Sequence, residues 1–344
     1  MEDWIQSSKS NDDLVLSSRI RLARNINKTP FPHVLKEDQG RDIVKLVEDA
    51  FYTSSFNSEN YKTNYLWEKD DISNEIFLEK HLISKNLIDN SCKSAFILDK
   101  NETVSVMINE EDHIRIQCIT SSLNLEEAYD FADKVDNILE EKIDYAFDEK
   151  LGYLTACPTN IGTGMRASVM IHLPTLSLSN KLNSILSAVT QLGMTIRGLY
   201  GEGSKGKSNI YQISNQITLG LSEEEIINNL KAVVIQIANE ENSCRSTLMN
   251  KYKYEIEDRI YRALGILKSA VILSANECLK LLSDVRLGVE MGIIKDVDKI
   301  LLNNILINTQ TASIYKMYNG KLSDKETNFN RAKIVRETLK KKTL

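Results

Sequence analysis

Apolar and polar residues follow two different rhythms along this chain, and the change of rhythm divides it. Up to about residue 220, short runs of strand period are mixed with helical ones. Leu14-Val15-Leu16 leads into an arginine-rich stretch, and residues 42–51 carry helical spacing. Residues 94–98 and 103–108, separated by the polar turn Asp99-Lys100-Asn101-Glu102, read as a β-hairpin. Ile114, Ile116 and Cys118 alternate with Arg115 and Gln117, which predicts a further strand. Residues 125–145 form a long amphipathic pattern with carboxylates in its first turn and Asn124 placed to cap it. Residues 153–156 and 170–173 read as strands, the second stopped by Pro174. Residues 178–192 are helical in period, and 194–196 and 210–213 return to strand. The pattern predicts an antiparallel sheet flanked by helices, an α+β layout.

From Ser222 onward glycine is sparse and the last proline, Pro174, is already past. Residues 226–240, 252–267, 275–291 and 297–308 all carry helical spacing. The expected organisation is therefore a catalytic domain over residues 1–245 and an all-helical domain over residues 246–344, with the boundary set by the change of pattern rather than by a linker.

Composition narrows the classes. The chain has 344 residues, of which 26% are charged and 42% hydrophobic, as in ordinary globular domains. A net charge of -5 gives no reason to expect direct nucleic-acid binding. Five cysteines, an odd number with no Cys-x-x-Cys pair, argue against a disulfide framework or zinc site and for a reducing, cytoplasmic setting. Neither a secretory leader nor an apolar run long enough to span a membrane is present, so no membrane role is expected.

Candidate chemistry concentrates in a few stretches. Cys157-Pro-Thr-Asn-Ile-Gly-Thr-Gly-Met-Arg166-Ala-Ser168 joins a thiol, a proline turn, two glycines and an arginine. It reads either as a tight turn with a surface arginine or as a loop that brings backbone close to an anion. Seven of the 14 glycines fall between Gly162 and Gly206. Arg19 and Arg21 share one face of a strand by period-two alternation, Arg115 follows an acidic turn, and Arg166 and Arg197 border glycine-rich loops. Each alone reads as a surface arginine; together they suit a polyphosphate, whose oxygens match guanidinium forks. Asn109-Glu110-Glu111-Asp112-His113 reads as a polar turn, as a metal site lacking the usual ligand spacing, or as a carboxylate that grips a cation and takes its proton. Glu202 supplies a second such acid. Residues 201–208 match the P-loop pattern literally, which would make the chain a P-loop NTPase. That loop must open a helix, however, and the residues that follow read as strand.

These stretches, in this order, resemble the signatures of the ATP:guanido phosphotransferases: Ser17-Ser18-Arg19-Ile20-Arg21, Asn109 to Arg115, Cys157 to Ser168, and Arg197-Gly198-Leu199-Tyr200-Gly201-Glu202. Within that family the chain is most similar to the bacterial protein-arginine kinases of the McsB type. The first signature begins at residue 17, without the helical domain that precedes it in the phosphagen kinases. A helical region instead follows the signatures, and residues 79–84, 257–265 and 282–288 resemble segments of the McsB type.

The resemblance implies transfer of the ATP γ-phosphoryl group to arginine side chains of proteins. It implies that Arg19, Arg21, Arg115, Arg166 and Arg197 hold the phosphates, with His81 near the nucleotide. Ser17, Ser18, Ile20, the backbone of Ala167, Ser168, Val169 and Met170, and that of Gly198, Leu199, Tyr200 and Gly201 would line the same pocket. Glu111 would be the catalytic base, Glu202 its partner on the guanidinium, and Cys157 would stand by the acceptor, as a thiolate where positive charge favours it. No protein cluster of metal ligands is evident, so Mg²⁺ is expected to arrive with ATP. Implied partners are exposed arginines of protein substrates, an McsA-type activator, the Clp protease, a CtsR-type repressor in a stress response, and a second copy in a homodimer. One departure stands out. Where McsB proteins carry an Arg-Asp pair in a phosphoarginine pocket, this chain has Thr327 and Asn328, ahead of a retained Arg331-Ala332. Weak or absent activation by phosphoarginine is the expectation. A kinase for free arginine or another guanidino metabolite is the alternative reading.

Overall fold

A computed structural model describes residue 5 and residues 14–53, 58–199 and 208–340. The elements run in chain order as β1 (Val15–Arg24), α1 (Glu37–Tyr52), β2 (Tyr61–Tyr65), α2 (Asp71–Glu79), α3 (Lys85–Asp89), β3 (Ala95–Asp99), β4 (Val104–Ile108), β5 (Ile114–Ser121), α4 (Leu125–Glu140), β6 (Phe147–Asp148), β7 (Gly152–Tyr153) and β8 (Met165–His172). They continue as α5 (Pro174–Leu178), α6 (Leu182–Gln191), β9 (Met194–Gly198), β10 (Ile210–Asn215), α7 (Glu223–Ser269), α8 (Ala275–Glu290), α9 (Lys299–Asn308), α10 (Thr311–Met317) and α11 (Asp324–Lys340). Eight strands form one sheet in the order β2-β3-β4-β5-β1-β8-β10-β9, and β6 pairs with β7 in a separate hairpin. The antiparallel sheet with flanking helices is the α+β architecture that the sequence pattern predicts.

The chain clusters into compact units. One contains Ser17–Ser168 with Ser214–Lys231, and the other contains Val169–Ile213 with Ala232–Leu344. In the first, β1 and β5 pair antiparallel with Arg19 opposite Ile119, Arg21 opposite Gln117 and Ala23 opposite Arg115. Because opposed residues share a face, Arg19, Arg21 and Arg115 project to the same side of the sheet. The alternate residues Ile20, Leu22, Ile116 and Cys118, at most 1% exposed, form the opposite face. On the arginine-bearing side, Phe96 and Met107 stand opposite each other and pack with Leu66, Leu82 and Leu87. Burying side chains of this size contributes roughly 1.5–3 kcal/mol each, enough to fix the segment that carries α2 and α3 over this side. Gln117 adds hydrogen bonds from its amide to the carbonyls of His81 (2.8 Å) and Leu82 (3.2 Å).

The second unit contains the helical core, where Ile260, Leu267, Leu282, Val285, Leu302, Ile305 and Val335 pack together. A buried polar network also lies in it. Glu290 accepts from His172 Nδ1 (3.0 Å) and Arg245 (2.6 Å), and Arg245 also bonds Glu241 (3.1 Å). Glu241 accepts from the amides of Thr175 and Leu176, which are otherwise unsatisfied donors at the start of α5. Burial pushes the Glu290 carboxyl up, but His172, Arg245 and Arg286 outweigh it and bring the group to about 2.

Several local expectations differ from the structure. Asn124 does not cap α4: its amide donates to Ser121 O (2.9 Å). The helix expected over 125–145 ends at Glu140. That expected over 178–192 begins at Leu182, after a turn in which Asn180 has φ 56°. Pro174 opens α5 as well as ending β8. The separate helices expected over 226–240 and 252–267 both lie within α7, which breaks at Tyr252 (φ −136°, ψ 41°). The strand expected over 153–156 is only Gly152–Tyr153, because Leu154 O and Ala156 N bond the side chains of Asn25 and Asp112 instead of a neighbouring strand. Among the described residues no helix is long and apolar enough to cross a membrane.

Candidate active site

The guanidinium groups of Arg19, Arg21, Arg115 and Arg166 lie close enough to act on one another. Arg19 is lowered from 12.5 to about 10, first by burial and then by the charges of Arg115 and Arg166. Arg21 is held well below its ordinary value by burial and by Arg19, Arg115 and Arg166, with Glu110 pulling the other way. Its buried Nε has no hydrogen-bond partner. Like charges gathered in this way raise the energy of the protein by itself, and a polyanion relieves that cost. Ser168, on β8, accepts from Arg19 Nε (3.3 Å). His81 sits at a positive φ of 63° and is lowered to about 4 by burial and then by Arg19, so an uncharged imidazole borders the cluster at neutral pH.

Glu110 ties this cluster to the acidic turn between β4 and β5. Its carboxylate accepts from Arg115 (2.5 Å), from the Glu111 amide (2.9 Å) and from the Ser84 hydroxyl. Burial pushes Glu110 up, but Arg115, Ser84 and the Glu111 amide outweigh it and hold it below the ordinary carboxylate value. Glu111 behaves in the opposite sense. Burial first, then the charges of Asp112 and Glu110, raise its carboxyl against the pull of Arg115 and Arg166. The neighbouring acids therefore divide their work: Glu110 is spent on an arginine, whereas Glu111 is half-buried, more basic and within the field of both Arg115 and Arg166. A polar turn is too weak a description of this stretch. Among the described residues no group of His, Cys, Asp and Glu is arranged to hold a metal ion.

Asp112 Oδ1 accepts from Asn25 Nδ2 (2.6 Å) and from the Ala156 amide (2.7 Å), which brings the Cys157 loop to the acidic turn. His113 completes the turn: its Nδ1 accepts from the Ile26 amide (3.2 Å), so Nε2–H donates to Pro30 O (2.9 Å). Burial lowers this imidazole to about 4. Cys157 is half-buried ahead of a short helical turn, with its Sγ 3.0 Å from Thr159 Oγ1.

The glycines of this loop have a different role from the one their spacing suggests. A Cβ on Gly162 (φ 109°) would lie 2.3 Å from Thr218 O, and one on Gly164 (φ 63°) would lie 2.6 Å from Ala23 O. Protein backbone, not an anion, makes the close approach. Arg24 braces the same loop: it bonds Asp136 (2.6 Å) and Thr163 O (3.0 Å) and stacks 3.5 Å over the Tyr153 ring.

The remaining candidates divide. Ile20 points into the core on the face opposite Arg19 and Arg21, with Ala167 and Val169 also fully buried. Ser17 is 2% exposed, and Ser18 uses its hydroxyl on Ser122 O (2.7 Å) and the Asn124 amide (3.0 Å). The Ile20, Ala167 and Val169 side chains serve packing and the Ser18 hydroxyl is spent on backbone, which leaves the backbone of these four residues for a ligand. Met170 is buried on β8. Arg197 is an exposed residue of β9, Gly198 ends that strand, and the Leu199 amide bonds Ile210 O (2.8 Å). Tyr200, Gly201, Glu202 and the P-loop-like stretch up to Lys207 lie outside the described residues. After Ser208 the chain enters strand β10, not the helix a P-loop requires. Local pattern gives Glu110, Asp112, Asn25, Ser84 and Gln117 no individual role. The density of acids in Asn109 to His113 was the available signal, since so many carboxylates in one turn require partners.

A guanidinium cluster set against a raised carboxyl is the equipment of a phosphoryl-transfer enzyme acting on a cationic acceptor. The chain belongs to the ATP:guanido phosphotransferase family, whose C-terminal catalytic domain matches residues 42–244. The protein-arginine kinase McsB C-terminal domain matches residues 253–343. The chain is 65% identical over 340 residues to the protein-arginine kinase of Clostridium kluyveri, with 98% of this chain and 99% of the relative covered. It is 59% identical to that of Clostridium acetobutylicum, covering 99% and 100%. Among solved structures it is similar to lombricine kinase, with a TM-score of 0.60 at 25% identity over 72% of each chain. It also shares the fold of the duplicated taurocyamine kinase of Schistosoma mansoni, with a TM-score of 0.59 at 22% identity over 81% of this chain and 42% of that one.

Proposed function

We propose that this protein transfers the γ-phosphoryl group of ATP to arginine side chains of other proteins. The observation that carries this reading is the depression of Arg19 and Arg21, by burial and then by the charges of the arginines around them, beside a raised Glu111. The charge excess fits a triphosphate, and the raised carboxyl fits a base for a guanidinium that must lose a proton as its nitrogen attacks phosphorus. Arg19, Arg21, Arg115, Arg166 and Arg197 hold the phosphates, and His81 borders the nucleotide. Glu111 takes the proton, Glu202 orients the acceptor through paired hydrogen bonds, and Cys157 stands beside it. Mg²⁺, held through the nucleotide, would supply further charge neutralisation when bound. Full-length similarity to relatives named protein-arginine kinases, together with the McsB C-terminal match, favours a protein-borne acceptor over a free metabolite.

A catalytic region over residues 1–245 and a helical region over residues 246–344 are part of this reading. The interval between the family matches, which contains the break at Tyr252, supports it. Cytoplasmic location, a homodimer, an McsA-type activator, the Clp protease and a CtsR-type repressor complete the proposal. Incubation with labelled Mg-ATP and either casein or free arginine tests the acceptor. Acid-labile label on casein and none on free arginine is expected. Label on free arginine alone would instead identify a metabolite kinase.

A further inference from the structure

We propose that Asn25 is a positioning residue that fixes the segments bearing Glu111 and Cys157 relative to each other. The inference rests on the roles given to those residues in the proposed function. Asn25 follows β1 directly and is 1% exposed. Its Nδ2 donates to Asp112 Oδ1 (2.6 Å) and to Leu154 O (2.9 Å), and its Oδ1 accepts from the His113 amide (3.0 Å). The partners settle the orientation of the amide, because an ionised carboxylate only accepts and a backbone N–H only donates. Asp112 Oδ1 also takes the Ala156 amide (2.7 Å), so one buried amide and one carboxylate clasp two loops distant in sequence.

Glu111 precedes Asp112 and Cys157 follows Ala156, so each reacting segment is one peptide unit from the clasp. No other side chain of this size supplies two donors and an acceptor in this arrangement. Aspartate lacks the donors and would face Asp112 with a like charge, and serine is too short to span both loops. In-line transfer is sensitive to such a change, since about 1 Å of misplacement costs on the order of 100-fold in rate. Arg19, Arg21 and Arg115 are held instead by the β1–β5 register, which ends at Arg24, so their hold on ATP is expected to survive loss of the clasp.

The test compares wild type, Asn25→Asp and Asn25→Ser in steady-state transfer from ATP to casein, in thermal melts, and in the iodoacetamide alkylation rate of Cys157 read by peptide mass spectrometry. For both variants the expected result is a fall in kcat of about 100-fold, a KM for ATP within about 2-fold of wild type, and a change of about 3-fold or more in Cys157 alkylation. Should Asn25→Asp fail to fold, Asn25→Ser carries the test. Unchanged alkylation with kcat within about 2-fold of wild type overturns the proposal. So does a kcat loss matched by an equal loss of folded, ATP-binding protein, which would mark a merely structural residue. Alkylation needs no substrate, so it decides the clasp even if casein proves not to be an acceptor.

Discussion

Replacing Arg19 by glutamine is expected to stabilise the protein while weakening its hold on ATP. Arg19 is lowered from 12.5 to about 10 by burial and by Arg115 and Arg166. At pH 7 the group is charged in both the folded and the unfolded chain, so the whole penalty applies to folding. A fall of that size corresponds to about 3 kcal/mol at ~1.36 kcal/mol per tenfold. Arg19 is only half-buried, and solvent screening reduces the recoverable part to about 1–2 kcal/mol. Arg19→Gln removes the charge and gives up a long 3.3 Å bond to Ser168. The expected gain in Tm is therefore a few degrees, roughly 2–4 °C. The gain should shrink as salt is added, because repulsion is screened. In the same melts Mg-ATP should protect the variant far less than wild type. Loss of one charge-assisted phosphate contact is worth about 1.5–3 kcal/mol, or roughly 10- to 100-fold in affinity. A variant that melts lower than wild type, or that keeps its full response to ATP, would refute the reasoning.

Glu111→Gln should lower turnover by about 100-fold or more while leaving ATP protection in place; near-normal turnover would remove Glu111 from the role of base. Because Glu111 is raised in the free protein, the acid limb of the wild-type kcat/KM profile should lie above the ordinary glutamate range, and a limb at or below it would contradict the assignment. His113 is held neutral in the fold at about 4 against an ordinary 6.5, so between those values the unfolded chain binds more protons and stability rises with pH. Its contribution is fully present above pH 6.5 and is lost towards pH 4, amounting to about 3 kcal/mol for a fully buried ring. Urea melts at pH 7 and pH 4.5 should show a smaller difference in His113→Gln than in wild type, and equal differences would count against this. Arg331 is 2% exposed and spends its guanidinium on Thr309 O (2.9 Å), Leu273 O (3.1 Å) and Asn328 (2.6 Å). Calorimetric titration with phosphoarginine should therefore show weak or no binding; tight binding that Arg331→Ala abolishes would show the opposite.

Much of the site could be read from short-range pattern. Alternation alone puts Arg19 and Arg21 on one face, and the β1–β5 register then adds Arg115 to that face. The hairpin of β3 and β4 and the helices α8 and α9 likewise follow from local period and turn chemistry. What stayed hidden depends on partners far away in sequence. Asn25 and Asp112 are 87 positions apart, and nothing local indicates that they meet or that their bonds end β7 early. Gly162 and Gly164 were legible as positions needing room, but not as positions filled by Thr218 and Ala23 rather than by an anion. Asn124 had the right type and place for a cap, yet Ser121 O took its side chain. Glu110 and Glu111 are identical residues side by side, and only tertiary contact with Arg115 and Ser84 separates the one held low from the one raised.

The central claim, ATP-dependent phosphorylation of protein arginine with Glu111 as base, is tested most directly by phosphorus-31 NMR and peptide mapping of casein after incubation with Mg-ATP and the full-length protein. The expected result is a phosphoramidate signal on arginine that disappears in acid and is absent with Glu111→Gln. Acid-stable phosphate on hydroxyl side chains, or an arginine signal that persists with Glu111→Gln, would contradict the account.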